Sequence, residues 1–137
     1  MEKLTTLKQV TDEIMNISQY LQERYNENEG NELMLRLTNL NIYLARSAEM
    51  VSKAQFFYDK AQGEKTEQVL LESKQEDLRL SPTVIKKLVD GKCYVESAAL
   101  KYSERLNRAI THQIDSIRTQ LSYVKETNKN SWFCCKR

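Results

Sequence analysis

Lys101, Arg105, Arg108 and His112 recur at i, i+4, i+7 and i+11, the spacing of residues that share one face of a helix. A row of groups able to hold phosphate results. Arginine grips a phosphate through two parallel N–H donors, and Tyr102, with Tyr94 nearby, supplies a ring on which a base can stack. Lys101, Tyr102, Arg105, Arg108 and His112 are therefore the candidate ligand-binding residues, for nucleic acid or a phosphorylated small molecule. The periodicity places the row beside the Leu106 stripe rather than opposite it. The bland alternative is a row that pairs with acidic residues of the first helix or is simply solvated.

Catalytic chemistry finds little to work with. His112 is the only histidine, so one chain cannot assemble a His-His metal pair or a histidine relay. A Cys93–His112 couple is conceivable, but the two lie 19 residues apart on one predicted helix, about 28 Å. They meet only if a neighbouring subunit brings them together. There is no glycine-rich phosphate loop, and no carboxylate spacing singles out an acid/base pair. The expectation is a protein that is not an enzyme, with no metal site and no cofactor.

The final residues "NSWFCCKR" offer the other conspicuous chemistry. Adjacent Cys134 and Cys135 fit disulfide geometry poorly and cannot alone complete a tetrahedral zinc site. Lys136 and Arg137 stand where prenylation wants an aliphatic residue and an accepted final one. A frayed basic end is the expectation, with docking of Trp132 and Phe133 into a neighbour's seam as the alternative.

The elements that must carry these residues are helical. Three Gly and one Pro in 137 residues are too few to punctuate a many-stranded fold, and 40% hydrophobic residues suffice for a packed core. "MEKLTTLKQV" has no leader pattern, no run of about 18 apolar residues occurs, and three cysteines do not suggest a disulfide framework. A cytoplasmic protein without a membrane segment is expected. The net charge of +2 conceals an asymmetry. Residues 1–81 hold 10 Lys/Arg against 14 Asp/Glu, whereas residues 82–137 hold 11 against 5. The halves should attract one another, or the second should attract something else.

Thr6-Leu7-Lys8-Gln9 has the form of a capping box, and Leu7, Val10, Ile14, Ile17 and Leu21 follow it with 3,4 spacing. A first helix is predicted over 6–25. After "NENEGN", with Asn31 as cap, Leu33, Leu37, Leu40, Leu44, Ser47, Val51, Ala54, Tyr58 and Ala61 continue the pattern for four heptads, predicting a helix over 32–72. In "FFYDK" three adjacent aromatics cannot all face one core. The turn centres near Asp77. Ser81-Pro82 then starts a third helix over 82–126, with a stripe of Ile85, Leu88, Val95, Ala99, Tyr102, Leu106 and Ala109. The stripe shifts to Ile110, Ile114, Ile117, Leu121 and Val124, a local change of period.

The predicted fold is all-α: an elongated, coiled-coil-like antiparallel hairpin of two long helices with a shorter N-terminal helix. It forms one domain over 1–126 with a flexible tail at 127–137. A first helix of about 30 Å covers only half of a hairpin of about 60 Å. The bare half of the seam predicts a homodimer or higher homo-oligomer. A bend at Gly63 and Gly91, which stand at matching heights about Asp77, is the alternative. Tyr43, Arg46, Asn39 and Asn41 flank the second helix's seam and could complete a polar pocket.

Through "LNIYLARSAEM" (Leu40–Met50), "SPTVIKKLVDGKC" (Ser81–Cys93) and "RLNRAITHQIDSIRTQLSYVKE" (Arg105–Glu126), residues 5–126 resemble small all-helical open reading frames of tailed bacteriophages and prophages, often encoded near single-strand annealing or recombination genes. That resemblance implies an accessory role in the host cytoplasm but assigns no residue a function. Two roles suit such a protein: handling phage DNA, or counter-defence by sequestering a nucleotide signal or occluding a host protein. A structural or scaffolding oligomer is the third expectation.

Overall fold

In the computed structural model, residues 6–134 are described, with side chains to Lys129. They form four helices: α1 (Leu7–Gln22), α2 (Gly30–Gln75), α3 (Pro82–Lys92) and α4 (Tyr94–Cys134). The described residues contain no strand, and none of these helices is long and apolar enough to cross a membrane. The all-helical class read from the sequence is correct.

Local chemistry sets the helix ends. Thr6 Oγ1 accepts from the Gln9 amide (3.3 Å) while Gln9 Oε1 accepts from the Thr6 amide (2.8 Å), which closes the capping box. Ser81 Oγ caps α3 by accepting from Val84 N–H, and Pro82 occupies the first turn. Asn31 does not cap α2. Gly30 already lies inside the helix, after Glu29, whose side chain makes no capping bond. The segment before it is organised instead by Asn26, which accepts from Asn28 N–H and donates its own amide to Glu32. At the far end of α2, Leu78 N–H reaches Ser73 O (2.9 Å) and Asp77 N–H reaches Lys74 O (3.3 Å), with Asp77 left-handed at φ 52°. These two bonds satisfy carbonyls that the last turn leaves open, and they start the reversal at the predicted place.

The helix predicted over 82–126 is two helices. It breaks at Cys93, whose backbone leaves the helical region (φ −104°, ψ 20°) while its amide still bonds Val89 O (3.0 Å). Gly91 lies two residues before the break, but Gly63 sits within unbroken α2. A side chain at either glycine would meet nothing within 4 Å, so neither marks a close backbone approach. The break also corrects the stripe. Leu88, Val95 and Tyr102 are exposed, and the buried line runs through Val89, Cys93, Ala99, Ser103, Leu106, Ile110, Ile114, Ile117 and Leu121. From Ala99 onward that line steps by three or four without interruption, so no change of period occurs at Leu106. The helix continues past Glu126 to Cys134, because the polar run there holds no Gly or Pro to stop it. The side chains of Trp132, Phe133 and Cys134, and all of Cys135, lie outside the described residues.

Packing divides the molecule lengthwise. α1 lies antiparallel on α2: Glu13 pairs with Arg46 and the Tyr20 hydroxyl accepts from Asn39. Val10, Ile14 and Ile17 thereby close a three-helix core with Leu33, Leu40, Met50, Ala54, Ile110, Ile114 and Ile117. Ser47 and Asn107 form a polar layer within it, with Asn107 Nδ2 donating to Ser47 Oγ at 2.9 Å. α1 reaches no further along α2 than about residue 54. Beyond lies a two-helix arm of distal α2 against α3, with a separate small core of Ala61, Val69, Val89 and Cys93. Arg36 with Gln113 and Ser47 with Asn107 join α2 to α4 along the three-helix core.

Candidate functional site

α4 carries the predicted basic row, and all of its members are exposed: Lys101, Tyr102, Arg105, Arg108 and His112. At 3.6 residues per turn, the four basic groups centre about 190° from the buried line Ala99–Leu121. They occupy the outward face of the helix, not an edge beside the core. The sequence spacing misjudged this because Leu88, Val95 and Tyr102 were counted as core, which rotates the inferred stripe. Tyr102, 60% exposed, stands about 90° from the row, on its flank.

The alternative in which this face pairs with acidic α1 is not found among the described residues. Glu13 is engaged by Arg46 of α2, and Asp115, at the far end of the row, by Arg118 (3.8 Å). Among the described residues Lys101, Arg105 and Arg108 form no ion pair. Three exposed cations thus stand outside any ion pair, although Glu104, three residues after Lys101 and four before Arg108, lies beside them on the helix. In line with them, within about 30° of the row's centre, are two aromatics. Tyr94 is 70% and Tyr123 69% exposed. Tyr123 was not legible as part of the row, since it lies eleven positions after His112 and no basic group stands between them on that face.

The Cys93–His112 couple is not assembled within the chain. Cys93 is completely buried in the arm and His112 is exposed on α4. Burial pushes the Cys93 thiol above its ordinary range, with Glu96 and Asp90 adding and Lys65 opposing. A thiol held protonated is a poor nucleophile. Folded and unfolded chains therefore carry the same proton below the ordinary thiol pKa, near 8.5; above it the unfolded chain loses that proton first, and stability falls as pH rises. No group of three or more His, Cys, Asp or Glu side chains gathers as metal ligands among the described residues.

Three of the four polar residues flanking α2 have structural partners, and the fourth, Asn41, is exposed. Tyr43 packs on Tyr20 (4.8 Å between ring centroids), and Arg46 and Asn39 tie α2 to α1. At this junction the sequence reading missed Arg36, which is buried to 5% exposure. Its Nη2 donates to Tyr20 O (2.9 Å), Leu21 O (3.3 Å) and Gln113 Oε1 (2.9 Å), and its Nε donates to Gln113 Oε1 (3.1 Å). The guanidinium also lies over the rings of Tyr20 and Tyr25, 4.3 and 4.7 Å from their centroids. α1 has no basic residue in its own last turn, so Arg36 supplies from α2 the cation that the carbonyl end of a helix favours. This is a tie between three helices and has no room for a ligand.

On the arm, an open groove of about 850 Å³ runs between α2 and α3. Asp59, Glu67 and Asp90 line it against Lys86 alone, a balance ill suited to phosphate. Of the three aromatics in "FFYDK", Phe57 packs on the three-helix core, Tyr58 on the arm core, and Phe56 remains 54% exposed.

Compared with known proteins, the chain matches no protein-family model, no curated protein and no solved structure.

Proposed function

We propose that this chain is a non-catalytic accessory protein that binds a phosphate-bearing polymer along the outward face of α4, through Lys101, Arg105, Arg108 and His112. The observation that carries the reading is the set of three exposed cations on one helix face that, among the described residues, form no ion pair. A row of cations on a solvated ridge attracts polyanions and releases their counterions. The outward side of a helix is convex, whereas small-molecule sites are concave and bury most of their ligand. A long ligand that meets several cations in turn suits this face better than a single nucleotide signal. Within the phage setting that the resemblance implies, this favours the handling of nucleic acid over nucleotide sequestration, a role for the host cytoplasm.

The double charge reversal Arg105→Glu/Arg108→Glu tests the reading. Wild-type binding to an oligonucleotide should fall with salt at a log–log slope of about −2, as three phosphate contacts imply. The variant should bind at least about tenfold more weakly at low salt, with a slope near zero. Unchanged affinity and slope would remove this face from consideration.

A second reading rests on a different observation, the exposed residues Leu88, Val95 and Tyr102. Val84 and Leu88 stand four apart on α3, and Val95 and Tyr102 seven apart on α4, on either side of the break at Cys93. Exposed apolar groups at helical spacing suit a helix of a second copy, giving a homodimer or higher homo-oligomer, or a helix of a host protein in an antagonist or scaffold. Sedimentation equilibrium should give a mass above 16.1 kDa at micromolar concentration, reduced by Leu88→Glu/Val95→Glu. A single-chain mass for the wild type would exclude self-association.

A further inference from the structure

We infer that the polymer bound along α4 is a single strand of nucleic acid, with unpaired bases stacking on Tyr94 and Tyr123 at the two ends of the basic row. The inference rests on the phosphate-binding reading above and adds what the bases do.

Its first support is placement. Tyr94 and Tyr123 share the outward face with Lys101, Arg105, Arg108 and His112, one before the row and one after it, 29 residues apart or about 44 Å along the helix. A mononucleotide cannot touch both ends. The second is exposure without a role in the fold. The rings are 70% and 69% exposed, and among the described residues neither makes a hydrogen bond, a ring contact or a cation contact. The bases of a duplex are already stacked on both faces, so only a base released from pairing offers a ring to an exposed tyrosine. The third is spacing. A strand within a duplex advances about 3.4 Å per phosphate along the axis, whereas the basic groups of α4 rise by about 4.5–6 Å per step. A strand drawn out of its stack is longer per phosphate and can follow the ridge. A duplex winds its backbones away from a single ridge.

The test is fluorescence anisotropy on the full chain at low salt, with a labelled 20-nucleotide oligothymidylate, a labelled duplex of equal length, and inorganic polyphosphate as unlabelled competitor. The wild type should bind the single strand more tightly than the duplex. Tyr94→Ala/Tyr123→Ala should weaken single-strand binding about 5- to 150-fold for each tyrosine, the equivalent of one stacked base. Competition by polyphosphate, which has no bases, should be unchanged in that variant, and Tyr→Phe at both positions should restore single-strand affinity. Unaltered single-strand affinity in the double alanine variant would overturn the inference, as would a duplex bound as tightly as the single strand. If those results came with binding that still needed Arg105 and Arg108, the inference would fall and the phosphate reading would stand. If Arg105→Glu/Arg108→Glu left binding of every ligand unchanged, both would fall. Both tyrosines are exposed, so the variants should melt as the wild type does, and a circular dichroism melt checks this.

Discussion

Replacing Arg36 with alanine should cost about 3–5 kcal/mol of folding stability, although among the described residues it forms no ion pair. The guanidinium makes four hydrogen bonds of 2.9–3.3 Å to two α1 carbonyls and to Gln113. Hydrogen bonds from a charged donor in partly buried surroundings contribute about 1.5–3 kcal/mol each, and they are not additive when they share one group. Cation–π contact with two half-buried rings adds about 1 kcal/mol. In Arg36→Ala, Tyr20 O keeps the Glu23 amide and Leu21 O keeps Gln113 Nε2. Gln113 Oε1 loses both of its donors. Arg36→Lys should recover less than half of the loss, because one ammonium cannot span the carbonyl end of α1, reach Gln113 and stack between two rings. Urea unfolding of the single variants and of Arg36→Ala/Gln113→Ala measures this, and strong coupling is expected between the two positions. A loss below about 1 kcal/mol would mean that water replaces the guanidinium at little cost.

Ile110→Ala should be about as damaging, at about 2–5 kcal/mol, while Val89→Ala should cost only about 1–2. The contrast follows from where the two sit. Ile110 is fully enclosed in the core that α1, α2 and α4 close together. Val89 is buried in the arm, where two helices meet with no third beside them. A cavity in the arm can be relieved by small movements of α3, which is joined to α4 only through the irregular backbone at Cys93. Hydrogen exchange should separate the two cases. Val89→Ala should speed exchange in α3 and distal α2 and leave α1 unaffected, whereas Ile110→Ala should speed it throughout. Equal loss of protection everywhere in both variants would make the molecule one cooperative unit.

How far the sequence was legible depended on whether a signal is local. The Thr6 and Ser81 caps, the reversal at Asp77 and the 3,4 stripes of α1 and α2 each depend on a few neighbouring residues, and each was readable. The break at Cys93 was not, because no proline marks it and the apolar residues around it fit two different stripes. Choosing Leu88, Val95 and Tyr102 over Val89, Cys93 and Ala99 preserved the heptad and turned the face by most of a quarter circle. That single choice moved the basic row from the back of α4 to its side. Arg36 stayed hidden for another reason. A charged residue next to an apolar stripe reads as solvated, and only the end of α1, a turn and a loop away in sequence, makes its burial favourable. The row at Lys101–His112 was legible as a row, because its members share one helix, but its relation to the rest of the molecule was not.

The heptad pattern that made α2 readable also leaves it ambiguous. Leucines and isoleucines repeating every seven residues would meet other leucines and isoleucines just as well if α2 slid past α4 by one repeat, about 10.5 Å. Two polar contacts remove that freedom. Sliding by a heptad would part Asn107 from Ser47 and carry Arg36 away from Gln113 and from the end of α1, stranding a guanidinium among hydrocarbon. The apolar seam holds the helices together, and these two crossings decide which of its many equivalent alignments the chain adopts. By fixing that alignment they also fix which residues of α4 stand opposite α2, and hence which ones are left facing outward.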